Sequence, residues 1–286
     1  MANARQGANR RKRAIILNGN DHYYEFNGTM ELFDAIKETP AENRSREEFR
    51  HDDFCKYTWA ECVQGLTEGW REGTQEIQDI VSKIQSAEGA HLGGHDIEYD
   101  VSGDFIDMGA FLTGEPECMG RIVPREIITD EIHILVNSTY SWNVTQETIK
   151  TRGAAITALI EKLMDNYAVK LSIAIRAAAH HAGKNIEVVL NIDLQNEFSR
   201  DVIAFCAAHP GFFRRIMFAL MEMDAGKPNL KNTAYGIVED SSIILDKLRK
   251  NGVKHYYFNR VIGNDETWSS PEAALREVNR IVESLK

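Results

Sequence analysis

The sequence contains no long apolar run and none of the short motifs that mark the commonest catalytic sites. A membrane-spanning helix needs roughly 20 consecutive apolar residues, and no stretch of this chain approaches that length. The phosphate-binding patterns G-x-x-x-x-G-K-S/T and G-x-G-x-x-G do not occur, and neither does the nucleophile pattern G-x-S-x-G. We therefore expect no membrane segment, no nucleotide site of those kinds and no serine-hydrolase centre.

Cysteines are few and widely spaced. The chain has 4 of them, and none belongs to a C-x-x-C pair. The N-terminus is polar and basic, which predicts no signal peptide, so a disulfide framework of the secreted type is not expected. The sequence therefore predicts a cytoplasmic protein whose cysteines are mostly small buried side chains.

Negative charge dominates, with 33 basic and 43 acidic residues and a net charge of −10. Residues 1–14 differ, because they contain no acidic residue but five basic ones, namely Arg5, Arg10, Arg11, Lys12 and Arg13. We predict that this segment forms a flexible basic arm. An acidic body repels phosphate, so contact with nucleic acid is expected only through residues 5–13.

Residues 15–130 are predicted to form a helical and irregular extension packed on a larger domain. Over residues 57–85, apolar residues recur at helical spacing, with an interruption expected near Gly69 and Gly73. Residues 87–120 are rich in glycine and aspartate. This composition favours irregular structure without a core of its own.

Residues 131–286 show the pattern of a layered α/β domain. An apolar run at 132–136 predicts a buried strand, and Thr145 is placed to cap a helix that continues to about residue 166. Two further strands are predicted at 169–178 and 186–194. Their linker is too short for a helical crossover, so the two strands must pair antiparallel.

The remaining elements predict a mostly parallel sheet. Helices are expected over 199–221 and 241–250, a strand over 253–261, and a final helix from residue 270. Strands that are joined through helices pair in parallel and are covered on both faces. The sequence therefore predicts an α/β, doubly wound sheet with one antiparallel hairpin at its edge.

This order of strand, helix and hairpin resembles the von Willebrand factor A fold over residues 131–286. Members of that fold end the first strand in Asp-x-Ser-x-Ser, and here Asn137, Thr139 and Ser141 take those three places. The resemblance implies a site for a divalent cation such as Mg²⁺, with Thr233 and Asp240 as counterparts from later loops. Asparagine lacks the charge of aspartate, so the implied adhesion-type metal site is degenerate and holds either no cofactor or Mg²⁺ weakly.

The chain also resembles an uncharacterised family of bacteriophage and prophage proteins. The segments that carry this resemblance are 99–104, 112–119, 152–155 and 208–215. The resemblance implies a phage origin, and hence location in the cytoplasm of the host cell, but it implies no reaction.

Two functions follow as hypotheses. The leading one is a non-enzymatic adaptor that binds a protein partner, for which the von Willebrand A resemblance implies an AAA+ ATPase or another phage or host protein. The alternative is a divalent-metal-dependent hydrolase or nuclease that uses the acidic segment 96–117. In that hypothesis Asp100 and Asp104 fold over the strand end and act with Asn137, Thr139 and Ser141.

Overall fold

The computed structural model describes most of the chain. The described residues are 15–16, 21–38, 55–86, 95–103, 105–124, 130–141, 143–164, 167–179, 184–194, 199–224, 237–263 and 265–285. The predicted basic arm at 1–14 lies outside them, and so do the candidate site residues Asp104 and Thr233.

The described part of the chain contains ten strands in two sheets. They are β1 (Ile15–Ile16), β2 (Asp21–Asn27), β3 (His95–Asp100), β4 (Phe105–Ile106), β5 (Met119–Pro124), β6 (Glu131–Asn137), β7 (Ala168–Ala179), β8 (Lys184–Ile192), β9 (Ile237–Glu239) and β10 (His255–Phe258). Strands β3, β5 and β4 form a small antiparallel sheet. The other seven form a central sheet in the order β1–β2–β8–β7–β6–β10, with β9 paired to β7.

The helices of the described residues are mostly short. They are α1 (Thr29–Ile36), α2 (Trp59–Glu68), α3 (Arg71–Ser86), α4 (Met108–Thr113), α5 (Gln146–Met164), α6 (Arg200–Ala208), α7 (Phe218–Asp224), α8 (Ile243–Lys250) and α9 (Pro271–Leu285). A π-helix (Phe212–Met217) precedes α7, and a 3-10 helix (Glu266–Trp268) precedes α9. No single helix in this part of the chain is long and apolar enough to cross a membrane. Taken together, α6 and Phe212–Glu222 have the length and composition of a membrane-spanning segment, but they are bent by 70° relative to each other.

The α/β class and the mostly parallel pairing are confirmed. β6 pairs in parallel with β7 on one side and with β10 on the other, and β2 pairs in parallel with β8. The antiparallel pairing of β7 with β8 is confirmed as well. The edge position of that hairpin is wrong, because β2 covers the outer side of β8. Part of segment 15–130 therefore belongs to the central sheet.

The two faces of the central sheet are covered very unequally. Strand residues such as Phe26, Ile134 and Val188 point to one face, where they pack with side chains of α1, α2, α3, α5, α6, α7 and α9 in one large apolar cluster. On the opposite face a much smaller cluster joins Tyr23, Leu135, Ala174 and Val189 to α8. Among the described helices only α8 contributes to this second cluster, so the double cover predicted for the sheet is present in reduced form.

Helix α5 is buried along most of its length, because small residues let it approach its neighbours closely. Thr145 caps it as predicted, since its Oγ1 accepts from the Thr148 amide at 3.2 Å. A Cβ atom added at Gly153 would lie 2.2 Å from the Cβ atom of Ala208 in α6. Glycine is therefore required for the contact between α5 and α6.

The helical prediction for residues 57–85 is confirmed with one clear interruption. Thr58 and Glu61 form a reciprocal capping box at the start of α2. The helix ends at Gly69, whose φ of 88° is a left-handed conformation that favours glycine. Helix α3 then starts at Arg71.

The prediction of irregular structure over residues 87–120 is wrong for the part that the structure describes. β3 and β4 both pair with β5, and α4 connects β4 to β5. Gly103 and Gly120 lie so close that a Cβ atom at Gly103 would sit 2.5 Å from the Gly120 carbonyl oxygen. The glycines that indicated irregularity instead permit this close strand packing.

Candidate functional site

The residues at the predicted metal site lie together at the carboxyl end of β6. Asn137 and Thr139 are fully buried, and Ser141 is half-buried. Asp240 is exposed nearby, where its Oδ1 accepts from the Tyr257 hydroxyl at 3.5 Å. The same hydroxyl accepts from Asn137 Nδ2 at 3.0 Å. The structure therefore brings Asn137 and Asp240 to one place, with the Tyr257 phenol between them.

The oxygen atoms of this group are engaged within the protein. Asn137 Oδ1 accepts from the Thr139 amide at 3.0 Å, and Thr139 Oγ1 accepts from the Arg176 amide at 3.3 Å. Ser141 Oγ accepts from the Gly263 amide at 3.1 Å and donates to Asn143 Oδ1 at 2.6 Å. These bonds are those of a strand end and its turn. They give no support to a metal-binding role, which stays a prediction.

A buried arginine lies beside this strand end. Arg152 of α5 is completely buried and donates from Nη2 to the carbonyl oxygens of Asn137, at 3.0 Å, and Asn259, at 2.9 Å. Its Nη1 donates to the Tyr140 hydroxyl at 3.2 Å. A fixed positive charge here opposes the approach of a divalent cation. It also ties the end of β6 to the end of β10.

The acidic segment does not join this site in the part that the structure describes. Asp100 ends β3 in the small sheet and is exposed, with its Oδ1 accepting from the Val101 amide at 2.7 Å. No group of three or more His, Cys, Asp or Glu side chains suited to a metal ion occurs among the described residues. The hydrolase or nuclease hypothesis therefore gains nothing from these contacts.

A second candidate site, which the sequence analysis missed, is a cavity on the less covered face of the central sheet. Its volume is about 770 Å³. It lies between α8 and the strand ends where β2 and β8 finish and β6 and β7 begin. The polar residues that line it are Tyr23, Glu25, Asn27, Glu131, His133, Lys170, Ser172, Asn191, Asp193 and Lys247, while Ile244 and Leu248 line it from α8.

A row of hydrogen bonds crosses four strands on the floor of this cavity. Asn191 Nδ2 donates to Glu25 Oε1 at 2.9 Å, and Ser172 Oγ donates to Asn191 Oδ1 at 2.6 Å. His133 Nε2 lies 2.8 Å from Ser172 Oγ. Since the serine proton is already used, His133 must be the donor in this last contact. We call Glu25, Asn191, Ser172 and His133 the polar row.

The direction of the polar row excludes activation of Ser172 by His133. The carboxylate of Glu25 only accepts, which fixes the amide orientation of Asn191 and then the hydroxyl orientation of Ser172. A serine nucleophile requires the opposite arrangement, with histidine accepting the serine proton. His133 instead carries its proton on Nε2, so the lone pair of the neutral ring is on Nδ1.

Burial and neighbouring charges define the charge states in the cavity. Burial lowers the pKa of His133 to about 4, and the nearby Lys170 acts in the same direction, so the ring is neutral at pH 7. Burial alone would raise the pKa of Glu25, but the Asn191 hydrogen bond and the Lys247 charge outweigh it and lower the pKa. Glu25 is therefore ionised at pH 7.

An ion-pair network holds α8 over the sheet beside the cavity. Arg176 of β7 donates to Glu187 and Glu239, each at 3.1 Å, and to the Ser242 hydroxyl. Glu187 in turn accepts from the first amides of α8, those of Ile243 and Ile244, each at 3.1 Å. A buried carboxylate at a helix N-terminus is stabilised by these amides. The network therefore fixes the position of the only described helix above the cavity.

The small sheet carries the third candidate, an exposed group of large apolar side chains. Of nine such exposed side chains among the described residues, six lie between positions 99 and 112, in β3, β4, α4 and the residue that follows β3. We call the six together the apolar surface: Tyr99, Val101, Ile106, Met108, Phe111 and Leu112. Tyr99 and Ile106 point to opposite faces of the small sheet, because their partners Gly120 and Met119 are adjacent on β5. The densest part of the apolar surface is therefore the side of α4 that carries Met108, Phe111 and Leu112. The sequence analysis assigned this segment to acid–base or metal chemistry and missed its apolar character.

A comparison with protein-family models matches residues 10–286 to one family, the domain of unknown function DUF7192. The chain belongs to that family. Searches of curated proteins and of solved structures found no match. Family membership covers nearly the whole chain and assigns no activity to it.

Proposed function

We propose that this member of the DUF7192 family is an interaction protein that binds another protein through the apolar surface. The exposure of that surface carries the proposal, since 77% of Leu112 and 68% of Val101 are accessible. Grouped apolar side chains that remain exposed mark interaction sites, whereas isolated ones are common. The other three exposed large apolar side chains among the described residues, Met30, Met164 and Ile262, are far apart in the sequence.

The apolar surface is presented on a defined local structure. Met108, Phe111 and Leu112 are three and four residues apart on α4 and so share one side of that helix. Asp107 caps the helix, with its Oδ1 accepting from the Gly109 amide at 2.8 Å, and Gly114 ends it with a φ of 79°. A surface that is already ordered loses less entropy when a partner binds.

Charge around the apolar surface selects the partner. Residues 95–124 contain seven acidic residues and one arginine. Asp100, Glu115 and Glu117 of this set are exposed. Complementary potential favours a partner segment in which apolar side chains are flanked by lysine or arginine. We therefore propose a protein partner with a basic, apolar-centred docking segment.

We further propose that the central sheet is of the von Willebrand A type. The strand order β8–β7–β6–β10 supports that resemblance, because it places the hairpin beside the first strand of the implied domain. The added strand β2 is a departure from it. The resemblance to the von Willebrand A fold implies an AAA+ ATPase of phage or host as one class of partner.

Photo-crosslinking from the apolar surface tests the proposal. We would place a photoreactive residue at Leu112 of the full-length chain, and at Ile262, which is 55% exposed outside the small sheet, as the matched control. After irradiation in a lysate of cells that naturally contain the protein, cross-linked peptides are identified. We expect one partner at position 112, joined through a peptide rich in apolar and basic residues, and no such adduct at 262.

The purified partner then allows an affinity measurement. Phe111→Ser should weaken binding by about tenfold or more, because an exposed aromatic anchor is lost, while Ile262→Ser should bind as the wild type does. Equal adducts at positions 112 and 262, or unchanged affinity of Phe111→Ser, would contradict the proposal. An adduct to a second copy of the chain would replace it with self-association.

A further inference from the structure

We infer that the cavity above the polar row binds a small aliphatic amine, with the carboxylate of Glu25 receiving the ammonium group. This site is separate from the apolar surface and uses none of its residues, so either proposal can fail without the other. The ligand class follows from the shape of the cavity, from the direction of its hydrogen bonds and from one internal side chain.

The cavity has an apolar side and a polar side. Ile244 and Leu248 of α8 line it from above, while Glu25, Asn191 and His133 lie on the sheet below. A volume of about 770 Å³ is within the range of small-molecule sites. A ligand with a methylene chain and hydrogen-bond donors at its ends matches both sides.

The polar row offers acceptors to such a ligand. Glu25 is 40% exposed; its Oε1 accepts from Asn191, and its Oε2 accepts from the Tyr23 hydroxyl at 3.2 Å and contacts Lys247. A carboxylate has about four acceptor positions, so a ligand can use a remaining one or take the place of Lys247. The fixed proton on His133 Nε2 makes its Nδ1 an acceptor as well. The sheet side of the cavity therefore favours ligands that donate hydrogen bonds.

The cations of the cavity are already paired with carboxylates, which disfavours an anionic ligand. Lys170 Nζ lies 2.6 Å from Glu131 Oε2. Lys247 Nζ lies 3.5 Å from Glu25 Oε2. The charged side chains that line the cavity are three carboxylates, Glu25, Glu131 and Asp193, and these two lysines. The resulting net negative charge repels an anion and attracts an ammonium group.

The position of Lys247 shows that an ammonium group can bind beside Glu25. Its ammonium lies 3.8 Å from the centre of the Tyr23 ring in addition to its contact with Glu25. A carboxylate beside an aromatic face is a favourable environment for an alkylammonium ion. Lys247 is 47% exposed on its helix, so it can leave, and an external amine would compete with it for the same place.

Titration calorimetry on the full-length chain tests the inference with 1,5-diaminopentane as the probe. The diol 1,5-pentanediol and the dianion glutarate are controls of equal length. We expect saturable one-site binding of the diamine and none of either control. Glu25→Gln should weaken diamine binding about tenfold, and Lys247→Met should strengthen it several-fold because the internal competitor is gone.

Asp246→Asn is the matched charge control, because Asp246 lies next to Lys247 on α8 but is 63% exposed and does not line the cavity. It should bind the diamine as the wild type does. An equal loss in Asp246→Asn and Glu25→Gln would show nonspecific charge attraction and overturn the inference, as would binding of glutarate. If Glu25→Gln does not fold, weaker or unchanged binding by Lys247→Met overturns it instead.

Discussion

Arg152 donates a hydrogen bond from Nη2 to the main-chain carbonyl oxygen of Asn137, 3.0 Å away, and neither residue is exposed to solvent. The arginine comes from α5, and the asparagine is the last residue of β6. The contact stabilises the strand end at which the sequence predicted a metal ion. It makes this region part of the structural core of the protein.

Replacing Arg152 should therefore reduce stability strongly. Arg152→Met keeps the apolar stem but leaves the carbonyls of Asn137 and Asn259 without their donor, which we expect to cost about 3 kcal/mol. Urea denaturation measures the change. Arg249→Met is the control, because Arg249 is 67% exposed, and it should lie within about 0.5 kcal/mol of the wild type. Similar midpoints for the two variants would contradict the structural role.

Gly153→Ala tests the close contact between α5 and α6. The new Cβ atom would lie 2.2 Å from that of Ala208, so the helices must separate. We expect a loss of about 1–3 kcal/mol in the free energy of unfolding, although alanine is the better helix former. Glu147→Ala, an exposed change on the same helix, serves as the control and should be nearly neutral. A Gly153→Ala variant as stable as the control would show that the helices are not packed this closely.

The sequence predicted those parts of the fold that depend on neighbouring segments. The hairpin of β7 and β8 followed from a linker too short for a helix, and the helix from Thr145 followed from its cap and its apolar spacing. The pairing of β2 with β8 was missed, because it joins residues more than 150 positions apart and leaves no local signal. Long-range pairing therefore escaped prediction. The small sheet of β3, β4 and β5 is local and was missed for another reason, because its glycines and aspartates are typical of irregular structure.

The candidate sites follow the same rule. Asn137, Thr139 and Ser141 were placed correctly at a strand end, because a strand and its turn are local. The polar row combines residues of β2, β6, β7 and β8. The only local signal for it is that polar residues alternate with apolar ones, as Lys170 and Ser172 do on β7, so that one face of the strand is polar there. Which polar face meets which neighbour depends on strand order.

Acid should destabilise the protein through two neutral histidines. Burial lowers the pKa of His133 to about 4 and that of His209 to about 3. In the unfolded chain both rings bind protons near pH 6.5, so unfolding takes up protons below that pH. The free energy of unfolding should fall by about 1.4 kcal/mol per pH unit for each histidine between pH 6.5 and 4.

Denaturation by urea at pH 7, 6, 5 and 4 measures this slope. In the wild type, His209 Nδ1 accepts a hydrogen bond from the Gly211 amide at 2.9 Å. The variant His209→Gln can keep an acceptor for this amide, but it removes one titrating group. The slope of this variant should be smaller by one proton, whatever its stability at pH 7. An unchanged slope would show that His209 does not remain neutral in the folded state.

The cysteines should differ sharply in their reaction with a thiol reagent. Cys118 is half-buried just before β5, whereas Cys55, Cys62 and Cys206 are buried. Burial also raises the pKa of the Cys206 thiol, which lowers its reactivity further. The Cys62 hydrogen bond lowers the pKa of the Cys55 thiol, but Cys55 is only 2% exposed, which keeps the reagent away from it. With Ellman's reagent in native buffer we expect one fast thiol in four. Cys118→Ser should abolish the fast phase, and full reaction of the rest should require denaturant.

The unequal cover of the central sheet has a consequence for local motion. Lifting α8 alone would expose the seven buried residues of the smaller cluster, while the larger cluster on the opposite face would stay intact. Amide hydrogens of Ile244 to Leu248 should therefore exchange with solvent deuterium through a local opening that costs less than global unfolding. Such an exchange would make α8 a separate cooperative unit, beneath which a molecule can enter while the rest of the protein remains folded.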